Sequence, residues 1–483
     1  MVLQRGMPIP VWGTADAGEE VTVTFLGTET TATADDKGAW RMTLPKAKAG
    51  GPHELAFKDG PTYKDVLVGD VWLGSGQSNM AGGAGGYAKR DEVLKGIIDA
   101  GPYPTLRLLK SKGNWTSSDP KNAAGFSAIL LSFGVALQQD LKVPFGLRVG
   151  AVGVTPSGRW LTREMLEADD DAMAMLKAAK GKQNWPEMQK RHEAALVKWK
   201  AAAAKAKEEE KRAPRQPRAP QQPGTIPGYV GNLYQAHIAS FTGYGIRGVL
   251  WDQGESGTQL PGIDQYTTMG ALVRGWREAW GQDFPWLYVQ KPSGGGPAWD
   301  RTRSENRMAN QYAPRTSQSA PKPYTYRVHH VNINQQPDVA IVQSVDLGSG
   351  VHPLNKSGYG ARAALVARGF EYEQDVVWSG PRYKSHQVKH GKIHVDFEHV
   401  GSGLAWKHGD KPFGFIIAGE DGVHHWAEVA IEDRDTIVLH HEKVPAPTAA
   451  AYGIEKDRAY ANLFNKEGLP MAAFDTEWQT PTP

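Results

Sequence analysis

Asp70-Val-Trp-Leu-Gly-Ser-Gly-Gln-Ser-Asn-Met80 is the stretch that decides the fold. Val71, Trp72 and Leu73 read as an apolar strand that runs straight into the turn Gly74-Ser75-Gly76-Gln77. A serine on a glycine-rich turn just after a strand is where an α/β fold exposes a nucleophile at its sheet's carboxyl edge. Glycines let the backbone approach a substrate closely, and the Ser78 N–H can point at a developing oxyanion.

Outward from this stretch, strand-like and helix-like segments alternate from about residue 69. Apolar strands are expected at Val71–Leu73, Leu106–Leu109, Leu147–Val152, Ile246–Trp251, Trp286–Gln290 and Val339–Val342. Helices are expected at Ala128–Leu141, Leu233–Ser240, Tyr266–Trp280 and Ser357–Arg368. That alternation implies a mostly parallel sheet with helices on both faces, and ligands outside the carboxyl ends of its strands. Ser78, Gly153, Gln253 and His352 all follow expected strands, where a site assembles.

The flanks read differently. Residues 1–68 alternate as strands (Val21–Phe25, Trp40–Leu44) around the turn Asp35-Asp36-Lys37-Gly38, a small β domain. Residues 376–483 return to β character at Ile393–Phe397, Phe415–Ile417 and Thr436–Leu439, a second sandwich. The middle domain therefore spans 69–375, with an insertion at 165–230. Within it Met188, His192, Leu196, Trp199, Ala203 and Ala206 recur at helical spacing, so one face can dock. Pro214, Pro217, Pro220 and Pro223 share one face of a polyproline II strut. This arm is either a lid at the substrate entrance or an insertion packed on the outside.

Composition narrows the class. A chain of 483 residues needs two or three domains, and 40% hydrophobic content suffices for packed cores. A net charge of +3 is close to balance and argues against nucleic acid. Zero cysteines exclude disulfides, cysteine–zinc sites and a thiol nucleophile. No run of about 18 apolar residues occurs, so no membrane span is expected. The 16 tryptophans read mainly as core packing. His424-His425 and His440-His441 are poor chelates, because neighbours on a strand point to opposite faces.

Gly76-Gln77-Ser78-Asn79-Met80 resembles the nucleophile block of SGNH-type carbohydrate esterases, specifically the sialate O-acetylesterase-like family. Met1-Val-Leu-Gln-Arg and Pro8–Gly13 resemble the start of that family's N-terminal β domain. Gly248–Ser256 resembles its second catalytic block, and Val351-His352-Pro353-Leu354-Asn355-Lys356 its histidine block. Tyr383-Lys384-Ser385 and Ala418–Gly422 resemble its C-terminal β domain. The resemblance implies an SGNH-hydrolase three-layer α/β/α parallel-sheet domain between two β-sandwich-like domains. It also implies hydrolysis of O-acetyl groups from a carbohydrate through an acetyl-enzyme, with no metal or organic cofactor. The partner is then an acetylated glycan, in the periplasm or outside the cell, with any leader lying upstream of Met1. Which sugar, and which oligomeric state, stay open.

Each role follows from chemistry. Ser78 is the nucleophile, which needs a base within reach and donors for the oxyanion. His352, on a loop before the last helix, is that base, its near-neutral pKa range suiting proton transfer. His329 and His330 are rivals by composition and read as surface loop. Many SGNH hydrolases carry an aspartate three residues before the histidine; here that residue is Ser349. Glu255, by resemblance to related acetyl-xylan esterases, or Asp346, six residues upstream, orients His352 instead, with Glu255 slightly favoured. The oxyanion hole is expected from the Ser78 and Gly153 N–H groups and the Gln253 side-chain amide. In Gly153-Val154-Thr155-Pro156, Val154 replaces the second glycine of the family's block. Gln77, Asn79 and Asn232 are candidates for substrate contact. The absent aspartate also leaves a second class open, a non-catalytic glycan-binding protein on an esterase scaffold.

Overall fold

The structure, a computed structural model, describes residues 1–182, 184–290, 321, 326–348, 351–407, 411–454 and 462–478. Six parallel strands form its central sheet: β1 (Thr62–Gly76), β2 (Leu106–Lys110), β3 (Phe145–Ala151), β4 (Gly248–Asp252), β5 (Trp286–Val289) and β6 (Val339–Val342). Their spatial order is β6-β5-β4-β1-β3-β2. Strand order reverses at β1, so a crevice opens beyond the carboxyl ends of β1, β3 and β4, the usual ligand position in such sheets. Ser78 leaves β1 at that point.

Four helices matter for the site: α1 (Ser78–Ala81), α2 (Ala128–Leu141), α3 (Gln265–Trp280) and α4 (Lys356–Phe370). Successive β1 side chains point to opposite faces. Trp72 packs with Leu130 and Phe133 of α2 and with Tyr359 and Ala363 of α4 on one face. Val71 and Leu73 pack with Met269, Leu272 and Trp276 of α3 on the other. The result is three layers. Trp160, Trp251, Trp276 and Trp286 are fully buried in the second cluster, so these tryptophans fill core. The helix starts obey ordinary capping: Ser127, Asp264 and Asn355 accept backbone N–H bonds from Leu130, Thr267 and Gly358.

The alternating pattern of Ala39–Leu44 is buried at every second residue, as a one-sided strand requires. The boundary at 68/69 falls inside β1. That strand is 15 residues long, not the short Val71–Leu73 segment that hydrophobicity marks. Its first half pairs with Gly50–Phe57 and Val2–Gln4 of the N-terminal sheet, its second half with β3 and β4. The exposed residues Thr62, Tyr63, Lys64 and Asp65 hide the start of the strand from a hydrophobic reading, whereas Val66, Leu67 and Val68 are buried and apolar. Beyond Arg382 two four-stranded antiparallel sheets share one core, including Val395, Phe415, Leu439 and Tyr452. No helix among the described residues is long and apolar enough to cross a membrane.

In the insertion, the helix Trp185–Glu208 has no fully buried residue, but its expected stripe from Met188 to Ala206 is half-buried. The Trp199 indole N–H donates to the Pro214 carbonyl at 2.7 Å, so the proline strut turns back along this helix. Strut and helix line a cavity of about 650 Å³ with Tyr229 and with Arg159 and Gln259, which lie on the segments that continue from Gly153 and Glu255.

A buried carboxylate ties the base of the sheet together. Asp70 is fully buried and accepts from Gln4, the Nε and Nη2 groups on one edge of the Arg5 guanidinium, Arg247 and the Tyr372 hydroxyl. Burial pushes its pKa up, but the Arg5 bond and the Arg247 and Arg5 charges outweigh this and hold it below the usual range. Removing one partner of such a buried network typically costs about 3–5 kcal/mol. Asp70→Asn is expected to lower stability by that order, read as a drop in thermal midpoint. Because the folded pKa is depressed, the contribution is present above the unfolded value of about 3.9 and fades as pH falls below it. The variant should therefore lose less stability than the parent on acidification below about pH 4. A midpoint unchanged at neutral pH would show the network to be dispensable.

Candidate active site

The turn at the end of β1 needs glycine. Gly76 has φ +122°, and a Cβ there would lie 2.2 Å from the Asp252 carbonyl oxygen. This close approach lets the Gln77 N–H donate to that same carbonyl at 2.8 Å and locks the β1 and β4 loops together. Ser78 then begins α1. The first N–H groups of a helix have no partner within it, so they are available to an oxyanion.

The structure brings Ser78 and His352 together. His352 Nε2 lies 2.9 Å from Ser78 Oγ, with the imidazole exposed and Ser78 half-buried. The pair is therefore open to the crevice outside the sheet. Gly153 approaches from β3: a Cβ on it would lie 3.6 Å from the Ser78 Cβ. Val154 has φ +60° and is 70% exposed. A β-branched residue in the left-handed region is strained, which accounts for glycine at this place in the family's block.

Glu255 is bonded by both neighbours of Ser78. One carboxylate oxygen accepts from Gln77 Nε2, the other from Asn79 Nδ2 at 3.3 Å. Asn79 Nδ2 also donates to the Val351 carbonyl at 3.1 Å, one residue before His352. The residues flanking Ser78 thus join the Ser78 turn, Glu255 and the loop that carries His352.

Several expectations need correction. Gln77 and Asn79 are buried at 2% and 0% exposure and hold Glu255, so they do not offer themselves to substrate. Gln253 is fully buried, and its amide donates to the Thr155 and Gly257 carbonyls at 3.3 and 3.2 Å. A primary amide has two hydrogens, so neither is left for an oxyanion. Gln253 instead fastens the Gly153 loop to the Glu255 loop. Asp346 makes a two-pronged bond to Arg362 of α4, at 3.1 and 2.8 Å, and is not bonded to His352. Asn232 is exposed at the first turn of Asn232–His237, where Gly231 is the cap, and no hydrogen bond links its side chain to the Ser78 group among the described residues. His329 and His330 lie on the helix Tyr326–Asn332 rather than a surface loop, and buried His330 bonds the Tyr288 hydroxyl. Ser349 lies outside the described residues.

One residue went without a role in the sequence reading. Lys356 is fully buried at the start of α4 and donates to Asn79 Oδ1 at 2.5 Å. The signal was available: a lysine at the first position of a helix opposes the helix dipole and so asks for a reason.

No family model matches the chain. It is 26% identical over 440 residues to the sialate O-acetylesterase of Rattus norvegicus, covering 79% of this chain and 74% of that protein. The human sialate O-acetylesterase is 25% identical over 435 residues, with 79% and 71% covered. A solved carbohydrate acetylesterase from Xanthomonas citri aligns at 26% identity with a TM-score of 0.75, over 99% of this chain and 97% of that one. Fold and relatives thus define a carbohydrate esterase. Within that class the chain is a homologue of the sialate O-acetylesterases, as Gly-Gln-Ser-Asn-Met implied.

Proposed function

We propose that the protein is a serine esterase of the SGNH type that removes O-acetyl groups from a carbohydrate through an acetyl-enzyme. The observation that carries this reading is the 2.9 Å contact between His352 Nε2 and Ser78 Oγ at the mouth of the crevice. His352 takes the hydroxyl proton as Ser78 Oγ attacks the acetyl carbonyl carbon. The Ser78 and Gly153 N–H groups receive the negative charge on the carbonyl oxygen. The carbon–oxygen bond to the sugar then breaks, and His352 returns the proton to the sugar oxygen. Water, deprotonated by His352, releases acetate and regenerates Ser78. The substrate is an acetylated glycan, and the periplasm or the extracellular space is the proposed setting.

Glu255 is the proposed acid of the site. It acts on the pair through Gln77 and Asn79, whereas Asp346 belongs to α4. Glu255→Gln is expected to lower kcat on the order of 10²-fold, the effect of a small misplacement of reacting groups. Asp346→Asn should leave kcat within about threefold and instead lower the melting midpoint, since it leaves the half-buried Arg362 without its charged partner. A larger kcat loss for Asp346→Asn than for Glu255→Gln would reverse this assignment. The activity itself is tested by acetate release from 4-nitrophenyl acetate and from a panel of acetylated glycans. A chain that retains sugar affinity and releases no acetate would be a glycan-binding protein, and the esterase reading would be lost.

A further inference from the structure

We propose that Lys356 is a buried positioning residue that fixes the direction of the Asn79 amide and, through it, the loop carrying His352; this rests on the esterase reading above. The ammonium is fully buried, 2.5 Å from Asn79 Oδ1 and 4.8 and 5.4 Å from the ring centroids of Tyr87 and Tyr359. Desolvating an ammonium costs several kcal/mol, and its place at the N-terminus of α4 adds repulsion from the helix dipole. A methionine would fill the same space with neither penalty. The cation therefore does something a packed side chain cannot.

Its effect lies in the geometry of Asn79. An amide's oxygen and nitrogen ends have nearly the same shape, so packing alone does not choose between them. An ammonium only donates, so Asn79 must turn its oxygen toward Lys356. Its NH₂ group then faces the Val351 carbonyl at 3.1 Å and Glu255 at 3.3 Å. The reverse orientation would set the amide oxygen against a carbonyl and a carboxylate, acceptor against acceptor. The ammonium also polarises the amide and strengthens both outgoing bonds. Val351 precedes His352, so losing that bond frees the backbone that holds the imaidazole 2.9 Å from Ser78. Lys356 touches neither Ser78 nor His352 in these contacts and acts through Asn79.

The test uses the full chain with 4-nitrophenyl acetate. Lys356→Met is expected to lower kcat on the order of 10²-fold with KM within about threefold, as for displaced catalytic groups. Because Lys356 acts through Asn79, the double variant Lys356→Met/Asn79→Ala should be no slower than the slower single variant. A Lys356→Met kcat within about fivefold of the parent, or losses that multiply in the double variant, would overturn the proposal. Should Lys356→Met fail to fold, Asn79→Asp decides. It keeps an acceptor for Lys356 but removes both donors, so kcat should again fall on the order of 10²-fold; near-parental kcat would overturn the proposal. A parent protein with no esterase activity would instead defeat the functional reading, a result distinct from an active parent with an equally active Lys356→Met.

Discussion

Ser78→Ala protein is expected to fold as the parent does and to release acetate on the order of 10⁴-fold more slowly or worse. Among the described residues the Ser78 hydroxyl makes one hydrogen bond, to His352, and no core packing depends on it. Removing one half-buried oxygen at the first turn of α1 leaves Gly76, Gln77 and Glu255 in place, so stability should change by less than about 1 kcal/mol. What disappears is the atom that forms the acetyl-enzyme. The residual rate would come from the oxyanion donors and substrate positioning alone. Steady-state release of 4-nitrophenol, with a melting curve as the control for folding, reads the result. A rate within about tenfold of the parent would remove Ser78 from the nucleophile's role.

The second large effect concerns His352. Its ring is exposed, so alanine there should cost little stability, while the serine loses its proton acceptor. The loss is expected to approach that of Ser78→Ala. The more telling measurement is the double variant, because residues that act as a unit are strongly non-additive. Ser78→Ala/His352→Ala should be no slower than the slower single variant. If the two losses multiplied instead, the 2.9 Å contact would be a neighbourly hydrogen bond and not a catalytic couple.

That Ser78 and His352 would meet was legible because both sit in local patterns: a serine on a glycine turn after an apolar strand, and a histidine just before a helix. Helix α2 could be read to the residue, since Ser127 caps it and Lys142 ends it in the left-handed region. The partners of the polar side chains were not legible. Asp346 finds Arg362 sixteen residues on, across a loop and a turn of helix, and six-residue proximity to His352 in sequence said nothing about that. Gln77 and Asn79 flank the nucleophile, which suggested substrate contact; the short α1 helix turns both inward onto Glu255. Gln253 follows its strand as expected, but which carbonyls an amide meets is decided by two loops distant in sequence. Hydrophobic periodicity also truncated β1, in part because it registers burial and the first four residues of that strand are exposed.

That long strand changes what can be separated from what. A module usually ends in a linker that can be cut or spliced, whereas here residues 62–76 serve two sheets without a break. Excising residues 1–68 would sever the strand in mid-ladder and strip Gln4 and Arg5 from Asp70. An engineer who wanted the hydrolase alone, or who wished to graft its front domain onto another enzyme, would have no joint to work at. Recombination at this border would meet the same obstacle, because it would break the strand ladders of both units.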